Sequence, residues 1–380
     1  MSKALLGLNE PDDSNQQTPA TSPAADTDAA SANPDSGLIP RPALRRLLDH
    51  ELPGYPGGFT VSRLGGGWSC LTFLLQGDGW RLVLRRPPRG TLAPTAHSMA
   101  REYRVLTALS RTRCDVPVPR PQLLCEDTTV IGAPFYLMSY VPGTVLRHQL
   151  PAALDADECR TLSLKLVSLL AHLHSVNPEV LRTPTSAASA RGYLERQIKL
   201  MNRRWSQLQG RRNPTISKLA GRLSTSAPAA PAGVRIVHGD FGLHNVLLAV
   251  GPSARITAVI DWELSTLGDP VMDLGWLLFG WREPGEEVLR VPLASITATP
   301  GFPCRGEIAE HYLTITGMAP QDLAWYAAFA GWKLAIIMED AWQRYQQGIR
   351  DHEGQETLAA AVPQLAQRAL DFLDHTLLIG

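Results

Sequence analysis

The chain has 380 residues, 44% hydrophobic and 19% charged, which is ordinary for a globular protein large enough to divide its core. Its 36 basic and 36 acidic residues cancel, so no global field favours nucleic acid or a membrane surface. The scattered cysteines Cys70, Cys114, Cys125, Cys159 and Cys304 lack C-x-x-C spacing and argue against a disulfide framework or zinc cluster.

In chain order, Met1 to Leu8 turns acidic at Glu10, Asp12 and Asp13, unlike a secretory signal. No apolar run reaches the roughly 20 residues of a spanning helix. A cytoplasmic protein with no membrane or nucleic-acid partner is therefore expected, its oligomeric state open. Residues 1–37 read as a disordered tail of Ser, Thr, Ala, Pro, Asp and Gln, too poor in apolar surface to offset ordering entropy. Alternating apolar segments at 59–64, 71–75 and 80–84 predict strands, the last two joined by the Gly77-Asp78-Gly79 turn. A helix over 96–109 and strands at 122–126 and 134–141 complete a sheet-based lobe, 38–141. Beyond it, 142–380 reads as mainly helical. Asp155 and Glu158 are spaced as a capping box before Leu162, Leu166, Leu169, Leu170 and Leu173. A helix over 192–208 is followed by a segment to 233 that reads as a surface connection. Short strands are expected at 235–237, 245–250 and 255–260, then helices at 271–281, 306–316 and 323–346. Two lobes of this α+β kind imply a cleft, the usual place for a ligand.

The stretch IVHGDFGLHNVLL (236–248), with VIDWE (259–263) after it, carries the chemistry. If its two strands pair as a hairpin, Asp240, Asn245 and Asp261 are brought together. Phosphoryl transfer needs hard oxygen ligands for Mg²⁺ and a carboxylate to orient the attacking hydroxyl. Asn245 and Asp261 suit the metal, and Asp240 suits the hydroxyl. Each alone could be a turn or capping group; the joint pattern is harder to explain that way.

These residues, with Gly268-Asp269-Pro270 and Asp273, resemble the aminoglycoside phosphotransferase and choline kinase superfamily from about Leu38 onward. The resemblance is strongest to the branch related to the kinase-like domain fused to acyl-CoA dehydrogenases, through VLRRPP (83–88), AH (96–97), REY (101–103), VPVP (116–119) and FYLM (135–138). It implies a two-lobed protein-kinase-like fold, a small antiparallel-sheet N-terminal lobe over a larger helical lobe. It also implies ATP and Mg²⁺ as cofactors and a small-molecule hydroxyl as acceptor.

On the nucleotide side, Gly65, Gly66, Gly67 and Ser69 lie in a turn where backbone N–H groups can approach phosphates. Arg85 and Glu102 stand where kinase-like enzymes pair a strand lysine with a helix glutamate. Arginine keeps the charge and can bind bidentately. Ser139 and Val141 match the interlobe segment that faces adenine. By the same analogy His238 braces the catalytic loop and Asp273 fixes it. His244 reads as a surface residue, Asp269 as a helix cap, and Trp276, Trp281, Trp325 and Trp332 as packing.

A short spacing from Asp261 to Asp269 leaves no room for a protein-kinase activation segment, and no Walker motif is present. The acceptor suggested by the branch is a hydroxyacyl-CoA, for which Lys199, Arg203, Arg204, Arg211 and Arg212 are candidate phosphate contacts. The alternatives are an aminoglycoside, met by Glu283, Glu286, Glu287, Glu307, Glu310, Glu339 and Asp340, or an inactive nucleotide-binding module.

Overall fold

The computed structural model describes residues 37–377 except 53, 56, 66–69, 89–97, 113, 182–191, 209–212, 229–232, 252–253, 290, 292, 294–295, 320–321 and 349–357. The expected tail, save Gly37, lies outside the described residues.

The N-terminal lobe runs α1 (Arg41–Glu51), β1 (Thr60–Arg63), β2 (Leu71–Gly77), β3 (Trp80–Arg86), α2 (Met99–Arg111), β4 (Pro121–Cys125), α3 (Thr128–Ile131) and β5 (Phe135–Ser139). Its strands form one antiparallel sheet in the order β1-β2-β3-β5-β4. Strand alternation sorts the side chains by face. Phe73, Leu75, Leu82, Leu84, Phe135 and Leu137 pack beneath Leu44 and Leu48 of α1. Val83, Tyr136 and Met138 join Met99, Val105, Leu106 and Leu109 of α2 in the main core. The expected turn pairs Gly77 with Trp80, and Gly79 takes a φ of 73° that favours glycine. α1 was not foreseen; only two of its side chains are buried, too thin a stripe to read.

The C-terminal lobe runs α4 (Ala156–Ser175), α5 (Tyr193–Gln207), α6 (Pro214–Thr225), β6 (Arg235–Val237), β7 (Val246–Ala249), β8 (Arg255–Val259), β9 (Thr266–Gly268), α7 (Val271–Gly280), α8 (Arg305–Thr316), α9 (Leu323–Gln346) and α10 (Leu358–Leu373). The Asp155–Glu158 capping box forms as expected, and all five predicted leucines of α4 are buried. The surface connection expected before 233 is corrected in part. α6 occupies 214–225, capped by Asn213, with Ile216, Leu219 and Leu223 fully buried. Their spacing is a helical stripe hidden among charged neighbours.

α7 crosses α9 at very short range. A Cβ on Gly275 would lie 2.6 Å from the Tyr326 backbone, and one on Gly331 would lie 2.3 Å from the Phe279 ring. Glycine lets α7 approach the α9 backbone at Gly275 and makes room for the Phe279 ring at Gly331. β7 and β8 pair antiparallel, Val246 opposite Val259, and β6 pairs with β9. This hairpin places Asn245 at the start of one strand and Asp261 just past the end of the other. Among the described residues, no helix is long and apolar enough to cross a membrane.

Candidate active site

The loop from β6 to β7 is built around one buried carboxylate. Asp273, in the first turn of α7 and 1% exposed, accepts the backbone N–H groups of His238 at 2.6 Å and Gly239 at 2.8 Å. It also bonds His174 Nε2 at 3.2 Å, while His174 Nδ1 meets the Tyr312 hydroxyl at 2.6 Å. Burial pushes the Asp273 carboxyl up, but the hydrogen bonds and charges of His174 and His238 outweigh it and hold it below the ordinary range. Gly239 adopts a φ of 86° with its Cα against Leu264, so the chain reverses there as only glycine readily does.

The His238 ring spans the hairpin. Its Nε2 meets the Ile260 carbonyl at 3.0 Å and its Nδ1 lies 3.3 Å from the Asp240 amide nitrogen. It leans on Trp262 with ring centroids 4.7 Å apart. The bracing expected of His238 is what the geometry shows.

Asp240 lies 2.9 Å from both His244 Nε2 and Asn245 Nδ2, and Asn245 Nδ2 also donates to the Asp240 carbonyl at 2.8 Å. Both Asn245 bonds use nitrogen, which leaves its amide oxygen as a ligating atom. Burial pushes Asp240 up, while the charge and bond of His244, the His238 charge and the Asn245 bond bring it below its usual value. Asp240 is thus an ionised acceptor at neutral pH. His244 corrects the expectation of a surface residue: it is only 7% exposed. The single 3-10 turn Leu243–Asn245 folds it back onto Asp240, four residues earlier. A Cβ on Gly242 would sit 2.8 Å from the His244 ring, so glycine there makes room for it.

Across from this loop, Asp261 holds a left-handed conformation, φ 66° and ψ 62°, rare for a residue with a side chain. Arg85 on β3 links it to α2, meeting Asp261 Oδ1 at 3.0 Å and Glu102 Oε1 at 3.4 Å, with Glu263 at 4.0 Å. Glu102 Oε1 also accepts the Trp262 N–H at 3.2 Å. The Arg85 guanidinium therefore reaches two acids at once. Burial, with Glu263 and Asp240 nearby, raises the Asp261 carboxyl against the pull of Arg85. Burial likewise pushes Glu102 up to about 7, Arg85 opposing and Asp261 and Glu263 adding to it.

Exposure separates these carboxylates. The Asp240 and Asp261 side chains are 26% and 29% exposed, whereas Glu102 and Asp273 are nearly sealed. The first two can meet a ligand; the other two hold backbone and arginine in place. Asp261 with the Asn245 oxygen offers the hard-oxygen set that Mg²⁺ takes beside substrate phosphates, and the raised Asp261 carboxyl marks a spot where a cation would relieve crowded negative charge. The residues present fit the group.

Elsewhere the expected residues divide. Gly65 has a φ of 62° with open space where a Cβ would be; Gly66, Gly67 and Ser69 lie outside the described residues. The Ser139 N–H is committed to the Arg120 carbonyl at 2.8 Å, and its hydroxyl accepts the Arg120 N–H at 2.9 Å. Of the two interlobe residues this leaves the Val141 N–H as the donor that could meet a base. Asp269 caps α7 through the Val271 N–H at 3.0 Å and also accepts the Tyr326 hydroxyl at 2.8 Å. Trp276, Trp281, Trp325 and Trp332 are all buried. A cavity of about 520 Å³ lined by Tyr103, Thr107, Arg111, Cys114 and Arg120 includes none of the site residues.

Sequence reasoning missed Lys333. It sits on α9 with Nζ 5.1 Å from the Trp276 ring centroid, within electrostatic reach of Asp240 and Asp273.

Acyl-CoA dehydrogenase family member 11 of Rattus norvegicus is 30% identical over 341 residues, covering 88% of this chain and 43% of the relative. The same-named protein of Gallus gallus is 32% identical over 340 residues, covering 87% and 43%. The chain thus spans less than half the length of these relatives. A crystal structure from Ralstonia eutropha, provisionally assigned as an aminoglycoside phosphotransferase, is 28% identical with a TM-score of 0.73, covering 88% of this chain and 98% of that one. APH(2″)-IIIa with GDP and kanamycin shares the fold at 15% identity and a TM-score of 0.58, covering 86% and 98%. Residues 60–307 match the phosphotransferase enzyme family, and it is to this family that the chain belongs.

Proposed function

We propose that the protein transfers the γ-phosphate of ATP, with Mg²⁺, to a hydroxyl of a small molecule. The observation that carries this reading is the half-buried, ionised Asp240 held by Asn245 and His244 beside Asp261. Asp240 orients the acceptor hydroxyl and takes its proton as transfer proceeds; a loose transition state needs no earlier deprotonation. Asn245 and Asp261 would hold Mg²⁺, which supplies charge neutralisation on the phosphates when bound. Arg85, kept in place by Glu102, faces the nucleotide phosphates, with Gly65, Gly66, Gly67 and Ser69 as the covering turn and Val141 and Ser139 beside the base. Lobes 38–141 and 142–380 divide nucleotide and acceptor between them, in the cytoplasm.

For the acceptor, the geometry favours a hydroxyacyl-CoA or a similar hydroxy compound over an aminoglycoside. Four of the seven acids named for a polycation already pair with arginines. Glu283 and Glu286 pair with Arg305, Glu286 also with Arg368, Glu307 with Arg160, and Asp340 with Arg204 and Arg344. Drawing Glu283 or Glu286 away would leave the buried Arg305, or Arg305 and Arg368, short of a partner.

The test is an ATP-consumption assay against hydroxyacyl-CoAs, aminoglycosides, choline-like alcohols and sugars, with wild type and Asp240→Asn. Turnover with one class is expected, lost by at least a thousandfold in the variant and abolished by chelating Mg²⁺, while nucleotide binding persists. Full turnover by Asp240→Asn removes that residue from the chemistry, and nucleotide binding with no turnover of any acceptor favours an inactive module.

A further inference from the structure

α9 is buried along most of its length, and the half-buried Lys333 carries its ammonium over the Trp276 ring, 5.1 Å from the centroid. An ammonium in such a place loses hydration and must find compensation. Three arginines of the same lobe have it: Arg204, Arg305 and Arg368 each pair with a carboxylate. Lys333 forms no ion pair among the described residues, and its close polar neighbour is the Trp276 ring face. A cation over an indole is attracted by the ring quadrupole, yet the ring accepts no ordinary hydrogen bond, so three N–H donors stay available.

The position matters as much as the charge. Trp276 lies one helical turn beyond Asp273, and with Phe241, Gly242 and His244 it lines a cavity of about 20 Å³ against the catalytic loop. Its own Nε1 is buried without a hydrogen-bond partner. Burial lowers the Lys333 pKa, the Asp240 and Asp273 charges act against that, and Arg204 adds to the lowering. The C-terminal lobe beside Asp240 thus presents a cation unclaimed by any acid, with a second cation, Arg204, in its field.

We propose that Lys333 is a specificity-determining residue for the acceptor, selecting a hydroxyl compound that carries a carboxylate or a phosphate ester. This rests on the phosphotransfer reading above. An anion meeting Lys333 replaces the hydration its ammonium has lost and draws the hydroxyl toward Asp240; a polycation is repelled by the same group.

The test compares matched acceptors with unmodified enzyme. One pair is a series of short hydroxycarboxylates and their hydroxyamides, which isolates a nearby carboxylate. The other is a hydroxyacyl-CoA and the corresponding hydroxyacyl-pantetheine, which isolates the nucleotide phosphates. The charged member of at least one pair is expected to show a KM lower by roughly tenfold to a hundredfold, the range of one charge-assisted hydrogen bond. Lys333→Met should erase that preference by raising KM for the charged member, leave the KM for ATP in place, and be rescued in large part by Lys333→Arg. Equal KM values within both pairs overturn the assignment to Lys333 while leaving the phosphotransferase reading intact. A wild-type preference that survives in Lys333→Met overturns it as well. Phosphorylation of a different acceptor class but of no member of these pairs overturns the assignment to Lys333, and no phosphorylation of any acceptor, with ATP bound, sinks the phosphotransfer reading beneath it.

Discussion

Replacing Asp273 by asparagine removes a charge sealed from solvent, and should still cost both stability and turnover. The carboxylate accepts two backbone N–H groups, from His238 and Gly239, on separate oxygens. Asparagine keeps one oxygen and presents an NH₂ to the other donor. One bond to a charged acceptor, worth about 1.5–3 kcal/mol, is lost, and a buried N–H is left facing another donor at about 1–3 kcal/mol. The sum, roughly 2.5–6 kcal/mol, is a large share of the about 5–15 kcal/mol that holds a domain folded. Turnover should fall about a hundredfold as well, because the freed donors begin the loop that carries Asp240 and small displacements there are costly. Urea denaturation should show a lower midpoint at unchanged slope, and acceptor kinetics a loss in kcat. The Asp273 carboxyl titrates below its unfolded value of 3.8, so its contribution is present above that pH and lost as pH falls further. Asp273→Asn should therefore also flatten the acid limb of the stability profile. A midpoint shifted by less than about 0.5 kcal/mol, the scatter of surface substitutions, would refute this account of the loop.

Two further outcomes follow from the geometry. Glu102 is raised by burial to about 7 from 4.5, so its contribution is full below pH 4.5 and is lost as pH rises through 7. The nucleotide-free protein should lose stability across that window, and Glu102→Gln should remove the slope; an unchanged slope in a thermal-melt pH series counts against it. Gly275→Ala should destabilise by about 3 kcal/mol or more, since the new methyl meets Tyr326 backbone rather than a movable side chain; calorimetry finding an unshifted Tm would show that the helices can part.

The site was legible in the sequence wherever a short stretch of chain builds it. Asp240 and Asn245 share one loop, and the hairpin that brings Asp261 to them is written in two adjacent apolar strands. Asp273 was legible by analogy, because its task is to hold backbone that any such loop exposes. His244 escaped because a polar loop residue ordinarily faces water, although its i,i+4 spacing from Asp240 and the apolar Phe241, Leu243 and Val246 around it were available clues. Lys333 lies in a helix that is apolar nearly all round, where no periodicity marks a functional face, and only the crossing of α7 brings it near Asp240. The three-residue β9 went unseen because so short a strand takes its identity from β6 opposite, not from its own residues.

The glycine crossing of α7 and α9 has a consequence for how the cleft can work. Helices packed this closely cannot slide or tilt without collision, so the carboxylate gripping the catalytic loop and the ammonium stacked on the indole ride on one stiff unit. On the proposed reading, recognition of the acceptor is then a property of the resting protein, already in force before nucleotide arrives.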